Sequence, residues 1–337
     1  MGVRVAVAGA TGYAGGELLR LLGAHPDVEL IAVTGHSHAG LRIGDVHPHL
    51  HRIADVPIAA TDPAALVGAD LVFLALPHGE SGAIAAALPD DMKVVDLGAD
   101  HRLRDPDAWA RYYGGGYAGA WTYGLPELPG HRDAIASTDR IAAPGCYATA
   151  ITLAIAPLIA AGIADADDVV VVAASGTSGA GRSPTAHLLA SEVMGDVSAY
   201  KVGAHQHVPE IKRATGARTL SMTPLLAPMP RGILATCTLR ATGATTATAV
   251  SDALGGAYRD EPFVRVLVGG ATPRTAATVG SNSCVLAATV DVDSGRIIVV
   301  SALDNLGKGA AGQAIQCANL MLGVPETAGL AIDGVAP

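Results

Sequence analysis

Val3-Arg4-Val5-Ala6-Val7-Ala8-Gly9-Ala10-Thr11-Gly12-Tyr13-Ala14-Gly15 is the stretch whose reading decides the fold. A β-branched run ends in glycine, and a helical pattern follows from Tyr13 to Gly23. Glycines at 9, 12 and 15 give the spacing GxxGxxG between strand and helix, where a phosphate-binding turn belongs. Glycine there allows a tight turn and close backbone approach, and a pyrophosphate rests on the N-terminal amides of the helix. Gly9, Thr11, Gly12, Tyr13 and Ala14 are therefore the candidate dinucleotide contacts.

Outward from this turn, strands are expected at 28–33, 71–76 and 93–97, separated by helical or loop segments. Right-handed crossovers between such strands build a parallel, doubly wound sheet, a Rossmann-like α/β domain. From about residue 167 the pattern changes. Strand-like runs at 169–173, 220–226, 232–240, 284–292 and 296–302 follow one another with fewer helices. That predicts an α+β second domain with a mixed or antiparallel sheet. The last helical pattern runs from Lys308 to Leu322. The expected division is 1–147 plus 306–337 for the nucleotide domain and 148–305 for a catalytic and oligomerisation domain.

Length and composition agree with two domains of tightly packed α/β layers. Half of the 337 residues are hydrophobic and only 16% are charged, with 41 glycines. A formal charge of −9 disfavours nucleic acid and anionic membranes as partners. Four scattered cysteines without a CxxC pair read as reduced thiols, and no apolar run or targeting pattern appears, so a cytoplasmic protein is expected.

An NAD-specific site places a carboxylate about 20 residues beyond the glycine turn. Here Thr34-Gly35-His36-Ser37-His38 holds none, which favours NADP(H), with Ser37, His36, His38 and Arg42 as the available donors. His47, His49 and His51 alternate and would share a strand face able to hold zinc. Without a cysteine or carboxylate cluster beside them, a polar cofactor-side loop is the stronger expectation, and no metal is expected.

Arg140–Ala143 reads as a strand ending in Pro144-Gly145, and an apolar helix starts at or after Cys146. A sulfur at a helix N-terminus gains thiolate character, and the thiolate is the nucleophile. Cys237, Cys284 and Cys317 lie in apolar runs and read as packing. In Tyr200-Lys201-Val202-Gly203-Ala204-His205-Gln206-His207-Val208-Pro209-Glu210, the two histidines share a face if the segment is extended, and Glu210 begins a helix that could orient an imidazole. Arg102 and Arg182 are candidate anion clamps, and the loop Ser175-Gly176-Thr177-Ser178-Gly179-Ala180-Gly181 can present amides to cofactor or substrate.

With these segments located, the whole chain resembles the N-acetyl-γ-glutamyl-phosphate reductase family. The likeness runs through 9–18, 96–103, 123–127, 141–157, 175–182, 201–211, 228–236, 280–284 and 304–313, in order. It implies that Cys146 is the nucleophile and His207 the acid/base. His205, Arg102 and Glu210 would belong to the substrate and proton network, and Asn305 would lie near the nicotinamide. It also implies an NADP(H)-dependent reduction of a small acyl phosphate through a Cys146 thioester, by a homodimer or homotetramer. The chain departs from the family where many members carry an Arg against the 2′-phosphate, having Gly35-His36-Ser37 instead. It departs again at Val285, where many have Asp. One methylene discriminates substrates by only about 1–3 kcal/mol. Reductases of N-acetyl-aminoadipyl or aspartyl phosphate therefore stay open at this point. So does a dinucleotide sensor without chemistry, against which the Pro-Gly-Cys and His-x-His pattern speaks.

Overall fold

A computed structural model describes residues 2–336. The chain forms two compact units, one running up to Pro144 and including Ala310–Leu330, the other Gly145–Gly309 with the segment from Ala331 onward.

The first unit holds β1 (Val3–Ala8), α1 (Tyr13–Leu22), β2 (Val28–Thr34), α2 (Ile43–Val46), β3 (Leu71–Leu74), α3 (Ser81–Ala86) and β4 (Lys93–Asp96). It continues with α4 (Pro106–Tyr112), β5 (Thr122–Tyr123), α5 (His131–Ala136) and β6 (Arg140–Ala142). The six strands run in the order β2-β1-β3-β4-β6-β5, every pair parallel. Successive residues of a strand face opposite sides, so β1 serves two cores. Val5 and Val7 pack with Leu18, Leu19, Phe73 and Ile315, while Ala6 and Ala8 pack with Leu66, Val72, Leu74 and Leu88. Burial on both faces explains why residues 5–8 of β1 read as an unbroken apolar run, after the exposed Arg4.

The second unit begins with α6 (Cys146–Ala160), β7 (Val169–Ser175), α7 (Ala190–Val193), β8 (Ser198–Ala199), α8 (Val208–Thr215), β9 (Leu220–Leu226) and β10 (Ile233–Arg240). It continues with α9 (Ala247–Ala257), β11 (Val264–Val266), β12 (Cys284–Asp291) and β13 (Arg296–Leu303). The seven strands run β11-β12-β13-β10-β7-β9-β8. The β11–β12 and β7–β9 pairs are parallel and the others antiparallel, a mixed sheet as the strand-like runs predict. In β7, Val169, Val171 and Ala173 are buried while Val170 and Val172 are exposed, so the sheet has an inner and an outer face.

The helix α6 is apolar on every side, as a helix buried all round must be. Pro157 stands inside it, where the missing N–H orphans the carbonyl of Leu153. The Tyr258 hydroxyl donates to that carbonyl at 2.7 Å and makes the proline tolerable.

The helix expected from Lys308 to Leu322 is two elements. Gly307–Ala311 is a π-helical turn, and α10 is Gly312–Leu322, in the first unit from Ala310 onward. Most other boundaries differ from the expected ones by one or two residues, the frayed ends of real elements.

Candidate active site

Pro144-Gly145 ends the approach to α6, and Cys146 is the first helical residue. Gly145 caps the helix in an extended conformation, φ −70° and ψ 148°, with no side-chain cap. Its carbonyl accepts from the Thr149 amide at 2.8 Å, and its own N–H donates to Glu210 Oε1 at 2.9 Å. Cys146 is partly exposed, whereas Cys237, Cys284 and Cys317 are buried, and burial pushes the Cys237 thiol up to about 12. Among the four thiols only Cys146 combines access with a helix N-terminus.

Glycine at 145 answers a steric demand. A Cβ built there would lie 2.4 Å from both Cε1 and Nε2 of His207. The imidazole edge therefore sits against the backbone of the residue preceding the nucleophile. His207 is the N-cap of α8, its carbonyl accepts from the Ile211 amide at 2.9 Å, and Pro209 stands in the first turn.

The segment before α8 is a turn, so the extended geometry in which alternating histidines would share a face is not the one present. The rings still meet, through the turn: the centroids of His205 and His207 are 4.8 Å apart and nearly perpendicular. The His207 amide donates to Nδ1 of His205 at 3.2 Å, which places the proton of a neutral His205 on Nε2. Burial, helped by the Lys201 charge, lowers His205 to about 4. His205 is therefore a neutral hydrogen-bond donor at pH 7.

Two tyrosines outside the sequence-predicted site brace these rings. Tyr147 stands 5.3 Å from His205 and 6.2 Å from His207 between ring centroids, and Tyr200 stands 5.9 Å from His205. The Tyr200 hydroxyl donates to that of Tyr147 at 3.1 Å, and Tyr147 in turn reaches the carbonyls of Ala173 and Leu225, both at 3.3 Å. Burial raises both phenols, Tyr200 to about 12, so they remain protonated. Their signal in the sequence is adjacency, one following Cys146 directly and the other opening the His segment.

The Ser/Gly loop and Asn305 are joined in the same unit. Asn305 accepts the Gly232 amide at 2.7 Å and donates to Ser178 Oγ at 2.9 Å, while Ser175 Oγ donates to the Gly176 carbonyl at 3.1 Å. Gly176 is needed for closeness, since a Cβ there would lie 2.8 Å from the Arg231 amide nitrogen. A Cβ on Gly179 would lie 3.2 Å from Ser175 Oγ, a tight approach to a side chain that can turn. Arg182 is exposed.

In the first unit, Gly9 adopts a left-handed φ of 81°, and the Gly9 and Ala10 amides both donate to the Thr34 carbonyl at the end of β2. A Cβ on Gly9 would lie 2.3 Å from the Ala75 carbonyl oxygen, and on Gly15 2.3 Å from that of Gly9. Gly12 is the open position, with only the Gly9 oxygen, at 3.7 Å, near its absent Cβ. It caps α1 without a side-chain bond, and Thr11, Tyr13 and Ala14 stand partly or largely exposed around it. The helix terminus thus keeps the form that binds a pyrophosphate. Beyond β2, Ser37 is exposed and its hydroxyl pairs with His38 Nδ1 at 2.9 Å.

Arg102 is buried, with Nε donating to the Ala143 carbonyl and Nη2 to that of Leu97, both at 2.7 Å. Those two donors fix the backbone leading to Pro144. The histidines at 47, 49 and 51 form no strand face. His47 is buried beneath α1 with Nε2 at 2.9 Å from the Ala10 carbonyl, whereas His49 and His51 are exposed. Among the described residues no group of three or more His, Cys, Asp or Glu is placed to hold a metal.

Residues 4–138 match the family described as semialdehyde dehydrogenase, NAD binding domain, and residues 146–305 match semialdehyde dehydrogenase, dimerisation domain. Solved structures of similar fold include aspartate semialdehyde dehydrogenase with NADP from Candida albicans. It has a TM-score of 0.71 and 16% identity, over 96% of this chain and 99% of that one. Aspartate semialdehyde dehydrogenase II from Vibrio cholerae has a TM-score of 0.70, also at 16% identity, over 96% and 99%. At such identities the likeness is one of fold. Curated relatives are far nearer in sequence. The N-acetyl-gamma-glutamyl-phosphate reductases of Salinispora tropica and Streptomyces coelicolor are 67% and 55% identical, each over the whole of both chains. Full-length identity at that level, carried by a fold whose one accessible thiol heads α6, means that this chain belongs to the N-acetyl-γ-glutamyl-phosphate reductase family.

Proposed function

We propose that the protein reduces N-acetyl-γ-glutamyl phosphate to N-acetyl-glutamate 5-semialdehyde, releasing phosphate, as a step of arginine biosynthesis. The observation that carries this reading is the pairing at the head of α6: an accessible Cys146 thiol preceded by a glycine against which the His207 imidazole sits.

Cys146 is the nucleophile, and the first amides of α6 favour its thiolate. His207 takes the thiol proton. The sulfur attacks the acyl carbon, the bond from that carbon to the phosphate oxygen breaks, and a thioester remains on Cys146. A thioester carbonyl is a good hydride acceptor. NADPH, when bound, supplies that hydride. The resulting hemithioacetal is protonated on oxygen by His207 and returns that proton to His207 as its C–S bond breaks, which regenerates the thiolate and frees the aldehyde. His205, neutral with its proton on Nε2, serves as a hydrogen-bond donor to substrate. Glu210 anchors the Gly145 amide and with it the start of α6. Arg102 and Arg182 are the cations assigned to the substrate's anionic groups. Ser175, Gly176, Ser178, Gly179 and Asn305 form the interlocked loop assigned to the nicotinamide end of the cofactor.

The nucleotide residues fit a dinucleotide because Gly12 leaves the α1 terminus open and uncapped. No carboxylate follows β2 before Asp45, so the acidic residue that would repel a 2′-phosphate at the end of that strand is missing. In the reverse direction, with phosphate present, N-acetyl-glutamate semialdehyde should reduce NADP with a lower KM for NADP than for NAD. Aspartate semialdehyde should be turned over poorly. Better turnover of aspartate semialdehyde would reassign the substrate, and an equal or lower KM for NAD would remove Ser37 and His36 from the 2′-phosphate site.

The unit matched as a dimerisation domain has an outer sheet face carrying Val170 and Val172. We assign this face to a second copy of the chain in a cytoplasmic homodimer; a homotetramer would join two such dimers through another surface. Val172→Asp should reduce the particle mass in light scattering to that of one chain. An unchanged mass would place the contact elsewhere.

A further inference from the structure

Cys146 is also approached by main chain from a side that none of the assigned residues accounts for. The strand β13 ends at Leu303, and the chain then makes the π-turn Gly307–Ala311, in which the Gly309 amide donates to the Asp304 carbonyl at 2.9 Å, five residues back. A π-turn inserts one residue into helical geometry, and such turns collect at functional sites. Here the turn carries main chain against the nucleophile. A Cβ built on Gly309 would lie 2.8 Å from Cys146 Cβ and 3.3 Å from its Cα.

The base of this turn is rigid. Asp304 is fully buried, and its Oδ1 accepts from Arg231 Nε at 3.0 Å and the Leu306 amide at 2.9 Å. Its Oδ2 accepts from Arg231 Nη2 at 2.8 Å and the Gly280 amide at 2.7 Å. Breaking any of these bonds would leave a buried charge underpaired, which is costly. The turn itself is fixed at two more points. A Cβ on Gly307 would lie 2.2 Å from the Ser281 carbonyl oxygen, and the fully buried Lys308 places its ammonium 5.5 Å from the centre of the Phe263 ring. A wall bonded at Asp304 and closely packed at Gly307 and Lys308 resists displacement where it meets Cys146.

We propose that Gly309 is a positioning residue for the reaction, and that the π-turn it belongs to sets where the Cys146 sulfur stands relative to the helix terminus and His207. Glycine is required there because any side chain would occupy the space of the nucleophile's own Cβ. The inference rests on Cys146 being the nucleophile.

The test is Gly309→Ala in the full-length enzyme, with Gly255→Ala in α9 as control, since no heavy atom lies within 4 Å of a Cβ there. A misplacement of roughly 1 Å costs about 10²-fold in rate. Gly309→Ala should lower kcat on that scale with KM for the acyl phosphate unchanged. It should also shift the pH profile of Cys146 alkylation by iodoacetamide upward, because the sulfur leaves the amides that favour its thiolate. The contact itself is read by melting. Gly309→Ala should lower Tm in the wild-type background and lower it much less in Cys146→Gly, where the opposing Cβ is gone. Wild-type kcat and alkylation in Gly309→Ala would overturn the proposal. So would a Tm loss that persists undiminished in Cys146→Gly, which would make the glycine a matter of general packing. Full turnover by Cys146→Ser would instead sink the nucleophile assignment, and the melting comparison would still test the contact independently.

Discussion

His207→Asn is expected to lower kcat by roughly 10²-fold or more with little change in KM, the scale of a lost general acid/base. His205→Asn is expected to act through KM. The two rings are neighbours, 4.8 Å apart, so proximity alone does not rank them. Their chemistry does. His205 is lowered to about 4 by burial and Lys201, and its Nδ1 already accepts the His207 amide. A base titrating near 4 is almost wholly unprotonated at pH 7 and has little drive to take a thiol proton. It can donate through Nε2, which is a binding contact made equally in ground and transition states. His207 presents Nε2 and Cε1 to the Gly145 backbone, one residue from the sulfur. Iodoacetamide should therefore alkylate Cys146 more slowly near neutral pH in His207→Asn and at the wild-type rate in His205→Asn. If His205→Asn is the variant that loses kcat and thiol reactivity together, the proton path is reversed.

How much of this site is legible in the sequence depends on the range of the interactions involved. The placement of Cys146 at the first position of α6 is legible because Pro144-Gly145 before an unbroken apolar run is a local signal. The strands Leu220–Leu226 and Val169–Ser175 are legible because apolar residues recur along them, and the buried ones alternate with more exposed ones as in a sheet with one face covered. The pairing of His205 with His207 holds for a different reason from the one their alternation suggests. Alternation implies an extended strand, whereas the rings meet across a turn that Pro209 and the start of α8 impose. His47 is not legible as a buried residue because its partner is the carbonyl of Ala10, 37 residues away, and no local pattern announces an imidazole beneath a helix. The two-residue strand β5 exists only because β6 is there to pair with it. The Pro157 inside α6 would argue for an earlier helix end, and only the distant Tyr258 hydroxyl reveals why the helix continues.

Gly145→Ala is expected to suppress turnover as severely as loss of His207, roughly 10²-fold, although the substitution adds a single methyl group. The backbone offers no objection. At φ −70° and ψ 148° any L-residue is at ease, and the amide can still donate to Glu210 Oε1. The objection is the imidazole, whose Cε1 and Nε2 would both stand 2.4 Å, and Cδ2 2.9 Å, from the new methyl carbon. His207 has little room to retreat, being buried, with the rings of His205 and Tyr147 at its sides and its own backbone capping α8. The ring must therefore turn away from Gly145, and the proton relay to Cys146 turns with it. Strong non-additivity follows. Two substitutions that break the same contact cost little more together than either alone. In the His207→Ala background, with the ring gone, Gly145→Ala should leave the residual kcat nearly unchanged and alkylation of Cys146 at the rate of the single His207→Ala variant. If instead the two losses multiply, glycine at 145 serves the helix start or the substrate directly, and its steric role against His207 is refuted.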